Sequence, residues 1–194
     1  MKKIIVTLTV FAFFLVKSMG QTPIIDLQDR DGTRLKNAYY KDVNNVLDPF
    51  VGTWLYTNGT TSLKIVLVKK STALIGDYYE DLIIGEYRYV LNGVEKFNSL
   101  NNINTIYSNE SYHNIYGNHI PTTTSPFDEY FPGEVRLDLY FKDNLGGNIN
   151  VRKTMVSGLE AIQIFRICYH PSIRDGDPVI DPVGPTRIFT LIKQ

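Results

Sequence analysis

A single cysteine, Cys168, in 194 residues excludes an internal disulfide, so stability must come from burial and strand pairing. Cys168 lies in the strand-like run 161–169 and reads as a small buried hydrophobe. No helix start or histidine arrangement is there to activate its thiol. Histidine is scarce too. His113 and His119 are six residues apart in a polar stretch and His170 stands alone, which is not zinc-ligand spacing. Excess charge is absent, with 20 basic against 20 acidic residues and no run of five basic ones. Nucleic acid and anionic lipid therefore have no electrostatic handle. Gly-x-Ser-x-Gly does not occur, so no serine elbow is indicated. Internal repeats, low-complexity tracts, linkers and helical periodicity over a dozen residues are also missing.

At the start of the chain is an address. Lys2 and Lys3 precede the apolar run Ile4–Val16, and Ser18-Met19-Gly20 follows, the layout of a secretory signal peptide cleaved between Gly20 and Gln21. The run is 13 residues long, short of the roughly 20 that span a bilayer. No transmembrane anchor is expected after cleavage, and no cysteine follows the cut to carry a lipid. Removing Lys2, Lys3 and Lys17 leaves 17 basic against 20 acidic residues, or −3. The expected location is periplasmic or extracellular.

The rest is organised around Phe50-Val51-Gly52-Thr53-Trp54, which enters a β-rich run. That run turns at Asn58-Gly59 into Ser62–Lys69, a hairpin signal. Residues 21–46 read as an extended N-terminal segment, with Asp42 capping one turn that Pro49 closes, and 47–194 as the folded domain. Tyr78–Leu91 turns at Asn92-Gly93 into Val94–Phe97. Gly85 inside that strand predicts a bulge or bend. Residues 98–133 are the loosest stretch. Val135, Leu137, Leu139 and Phe141 alternate with polar neighbours, a half-buried strand. Strands at 149–155, 159–169 and 186–193 complete the pattern. The fold class is all-β, a single antiparallel β-barrel, round or flattened, of about 8–10 strands. Pairing the last strand with the first would close it.

Phe50-x-Gly52-x-Trp54 at the entry to the first strand resembles the opening signature of lipocalin-like and wider calycin barrels. The resemblance implies that Gly52 and Trp54 close the barrel floor, with Arg187, or failing that Lys193, stacked over the indole. A broader similarity is carried by Gly52-Thr53-Trp54, by Gly85–Tyr89 with Asn92–Glu95, and by Phe189–Gln194. These stretches resemble an exported domain family of Bacteroidota with no assigned function, which implies compartment and fold but no activity.

Candidate chemistry is thin. Asp29-Arg30-Asp31-Gly32 fails as an EF-hand because Leu27 and Ala38 stand where acids are needed. Asp175, Asp177 and Asp181 read as turn residues. Glu80-Asp81 and Asp128-Glu129 are adjacent pairs that an extended strand points to opposite faces. No catalytic set, cofactor or metal is expected. The aromatic load, 13 Tyr and 10 Phe, has more functional colour. Tyr87 and Tyr89 share a strand face, joined by Tyr79 if Gly85 leaves the register intact, and tyrosines line ligand cavities well. The favoured expectation is capture of a small apolar or amphipathic ligand inside the barrel. The alternative is a module with a filled interior that contacts an envelope or secreted protein, and a hydrolase ranks third.

Overall fold

The computed structural model describes residues 22–121, 133–142, 147–168 and 188–194, without the side chains of 166–168. The signal segment, Asp128-Glu129, His170, Asp175, Asp177, Asp181, Arg187 and the Cys168 side chain lie outside the described residues. Among those described, no helix is long and apolar enough to cross a membrane. The strands are β1 Ile24–Asp26, β2 Tyr39–Lys41, β3 Gly52–Asn58, β4 Thr61–Ile75, β5 Tyr78–Leu91, β6 Val94–Asn98, β7 Ile115–His119, β8 Arg136–Phe141, β9 Gly147–Val156, β10 Leu159–Cys168 and β11 Ile188–Lys193.

Eight of them form a hydrogen-bonded ring in the order β3-β4-β5-β7-β8-β9-β10-β11, and every neighbouring pair is antiparallel. Two short pairings complete it. Ile192 and Lys193 pair with Leu55 and Trp54, and Ile83–Gly85 pair with Gly117–Ile115. Alternation sets which side faces in. Along β4, buried Thr61, Leu63, Ile65 and Leu67 interleave with half-buried Ser62, Lys64 and Val66, the period-2 pattern of a strand over a core.

The turns follow residue chemistry. Asn92 and Gly93 both take positive φ, 51° and 79°, between paired Leu91 and Val94, as a type I′ hairpin requires. The first hairpin differs from expectation by one position. Asn58 still pairs with Thr61, so the loop is Gly59-Thr60, and Gly59 alone has positive φ, at 58°. This is the type II′ pattern, with glycine first.

Gly85 makes no bulge. It stays in register with Leu67 on one side and Ile115 on the other. A Cβ there would sit 2.6 Å from Leu67 Cδ2 and 2.8 Å from the Val66 carbonyl oxygen. Close approach, not bending, explains the glycine. Irregularity falls instead between Lys70 and Ala73 on β4 and between Tyr89 and Val90 on β5.

The N-terminal segment joins the sheet. β1 pairs parallel with β2, and β2 parallel with β5 at Tyr79 and Glu80, while Leu27, Ala38 and Tyr40 enter the main core. Asp42 accepts from the backbone N–H groups of Val46 and Leu47, 2.8 and 3.1 Å away. Pro49 does not close a turn but lies within the 3₁₀ turn Asp48–Phe50, whose first residues need no N–H donor and suit its fixed φ. The outer face of the ring is covered in turn by 3₁₀ segments Leu100–Asn104 and Glu110–Tyr112. Ile103 there packs with Leu82, Ile84, Ala73 and Tyr116 in a second core.

Candidate functional site

The ring's interior is occupied by its own side chains. Trp54, Tyr87, Tyr89, Phe50, Ile65, Leu67 and Ile83 are at most 2% exposed. Tyr87 is stacked on Phe97 at 4.4 Å and on Phe141 at 4.8 Å between ring centroids. Tyr87 and Tyr89 are therefore core residues that fill the interior. Tyr79 does not join them. Tyr78 packs against that core instead, edge-on to Tyr40 at 5.6 Å, and the bulge in β4 between Lys70 and Ala73 lies opposite this stretch.

One end of the ring is built around Trp54. The indole is fully buried and donates from Nε1 to the Phe50 carbonyl at 2.9 Å. Two ammonium groups lie over it, Lys153 at 4.8 Å and Lys193 at 5.7 Å from the ring centre, within cation–π range. Glu160 binds both lysines. The hydrogen bond from Lys193, then the charges of Lys153 and Lys193, hold its carboxyl below the ordinary value. A Cβ on Gly52 would lie 3.3 Å from Lys193 Cε and 3.7 Å from the indole, so Gly52 leaves the space in which the lysine crosses the ring. Lys153 gave no signal in the sequence. Register alone brings it there, opposite Ile162 on the inward side of β9.

On the outer face, Glu86 of β5 and His113 are both wholly buried, with His113 Nδ1 2.8 Å from Glu86 Oε1. Asn114 Nδ2 donates to Glu86 Oε2 at 2.6 Å. His113 Nε2 faces Glu110 Oε2 at 3.2 Å, but the two atoms make no hydrogen bond. Because the imidazole lies between the carboxylates, the three do not chelate. Among the described residues no His, Cys, Asp or Glu trio is grouped as a metal site. The chain instead fastens the turn Glu110–Tyr112 to β5. Around it, Tyr112 and Tyr140 stay 61% and 55% exposed, Tyr140 is stacked on Tyr116 at 4.9 Å, and Lys142 lies over Tyr116 and Tyr112.

A recess of about 240 Å³ opens where the N-terminal segment meets β7, lined by Leu27, Gln28, Arg30, His119 and Ile120. Arg30 donates from Nη1 to Asn118 Oδ1 at 3.1 Å and lies 3.4 Å from Glu80 Oε2. Burial first, then the charge of Arg34, pushes its guanidinium below the ordinary value.

Residues 1–165 match a family of unknown function, DUF6705. The chain belongs to that family. No curated protein matches it, and no solved structure does. The DUF6705 match takes in the recess, the Glu86–His113 chain and Trp54, and stops within β10, before Lys193.

Proposed function

We propose that this DUF6705 chain is an exported, lipocalin-like barrel that acts by binding a protein of the envelope or secreted space through its outer surface. The observation that carries this reading is the packed interior. A ligand held inside would have to displace Tyr87 or Tyr89, each at most 2% exposed, and emptying such a site costs several kcal/mol in a close-packed core. The outer surface offers what the interior does not. Tyr112, Tyr140 of β8 and the 88% exposed Ile106 stand out there, and the turn that carries Tyr112 is held by the buried Glu86–His113 contact. Tyrosine is enriched where protein surfaces meet.

The test is affinity purification of the tagged protein from its own host after in-cell crosslinking, followed by native mass spectrometry. A polypeptide that co-purifies with the parent chain and is lost with Tyr112→Ser/Tyr140→Ser supports the reading. A monomer without a polypeptide partner, carrying one small apolar molecule that is retained both in that double variant and in Arg30→Gln, overturns it in favour of capture inside the ring. N-terminal sequencing of the same sample should begin at Gln21, and an intact Met1 would remove the export premise.

A further inference from the structure

The edge of β5 that faces away from β4 is shared by several strands, and a seam lies between two of them. β2 pairs with β5 at Tyr79 and Glu80, and β7 takes over at Ile83. Side chains bridge the gap. Asn118 Nδ2 donates to the Asp81 carbonyl at 2.8 Å, and Arg30 Nη1 donates to Asn118 Oδ1 at 3.1 Å. The recess lined by Leu27, Gln28, Arg30, His119 and Ile120 lies at this seam.

Arg30 keeps spare donors there. Its side chain is only 12% exposed, and its one acidic partner, Glu80, approaches Nη1 at 3.4 Å. Among the described residues Nη2 and Nε make no hydrogen bond, so one edge of the guanidinium fork is unspent. Arg34 adds a second positive charge nearby, over Tyr40 and Tyr78. Asp31 offsets Arg34, so what the recess offers an anion is the spare donor pair of Arg30 rather than net charge. The free edge of a guanidinium matches a carboxylate with two parallel hydrogen bonds. A dianion fits less well, because Glu80 touches Arg30 and Asp138 lies 3.9 Å from His119 at the rim. Leu27 and Ile120 give the walls apolar surface. At about 30 Å³ per water, the recess holds the equivalent of about eight waters, a ligand smaller than drug size.

We propose that this recess binds a small monocarboxylate with a short apolar chain, the carboxylate on the free edge of Arg30 and the chain against Leu27 and Ile120. It is a site separate from the outer tyrosines and does not depend on the protein partner proposed above. Isothermal titration of the full chain with hexanoate, hexanol, hexylamine and inorganic phosphate tests it. Hexanoate should bind at least tenfold more tightly than hexanol or phosphate, with no binding of hexylamine. Arg30→Gln should weaken hexanoate at least tenfold. Since Arg30 also braces the seam, Gln28→Trp, which fills the recess from an exposed position, provides the second variant. It should abolish hexanoate binding while the melting temperature is kept. Hexanoate binding no tighter than hexanol, equal binding of phosphate, or undiminished binding by Gln28→Trp would each overturn the assignment.

Discussion

Replacing Gly85 by alanine tests the reading that this glycine exists for close approach. The added methyl would meet Leu67 Cδ2 at 2.6 Å, the Val66 carbonyl oxygen at 2.8 Å and Ile115 Cβ at 3.2 Å. Leu67 is 1% exposed and has little room to rotate. The Val66 oxygen belongs to the backbone of β4 and moves only if the ladder moves. Overpacking of this kind costs about 1–3 kcal/mol, and two contacts below 3.0 Å place Gly85→Ala near the upper end. Against it stands the gain from removing a flexible residue from a strand, about 0.5–1 kcal/mol. The net loss is then about 2 kcal/mol. For a domain of this size 1 kcal/mol moves the melting temperature by about 2–4 °C, so a fall of about 4–8 °C is expected. Thermal unfolding followed by circular dichroism and by the emission of Trp54 measures it. Were the space beside Gly85 free of those contacts, the alanine would leave stability unchanged or raise it, and that result would refute the reasoning. A double-mutant cycle with Leu67→Ala adds a check, because removing Cδ2 should recover part of the loss.

Trp54→Ala removes a fully buried indole and its bond to Phe50, and should cost about 3–5 kcal/mol in denaturant unfolding. A shift under about 0.5 kcal/mol, the range of ordinary surface changes, would contradict its place in the core. Glu160 has a lowered carboxyl value in the folded chain, so its bridge to Lys153 and Lys193 contributes above the ordinary carboxylate range. That contribution is lost as pH falls through the lowered value. Trp54 emission should change across this acid window, and Glu160→Gln should abolish that step. Glu86→Gln leaves one acceptor oxygen where His113 Nδ1 and Asn114 Nδ2 each face one. The loss should be about 1–3 kcal/mol, with faster amide exchange concentrated in 99–114. Exchange unchanged there would show that the contact does not fasten the segment.

Strands were legible wherever one face meets water. Thr61–Leu67 and Val135–Phe141 alternate, and Asn92-Gly93 adopts the turn its residues favour. Trp54 was legible as a residue that the fold is built around, and it is fully buried. Lys153 was not, since its approach to the indole depends on the pairing of β9 with β10, which no local pattern encodes. The tyrosines misled for a related reason. Tyr87 and Tyr89 share a face as read, but whether that face borders a cavity or a stack depends on Phe97 and Phe141 from other strands. His113 stood in a polar stretch with no sign of a partner for it in the neighbouring residues. Its burial comes from docking onto Glu86, 27 residues away.

β5 brings these failures to a common cause. One of its edges runs along β4, while the other is passed from β2 to β7 to β6. Both of its faces are covered, so Glu80 to Tyr87 are all buried. A strand buried on both faces loses the alternation that marks a half-exposed one, and polar residues within it must find partners inside the protein. Glu80 meets Arg30, Asp81 accepts from Tyr39, Asp42 and Thr72, and Glu86 meets His113 and Asn114. Apart from Thr72 of β4 and Tyr39 of the short β2, these partners come from segments with little regular structure of their own. The acids of β5 therefore specify where the N-terminal segment and residues 99–114 dock, an assignment apolar contacts alone would leave loose. The two surfaces proposed for recognition lie where those segments end: the recess beside Arg30 and the tyrosines beside His113. Exchanging a β5 acid should loosen the neighbouring recognition surface before it loosens the ring.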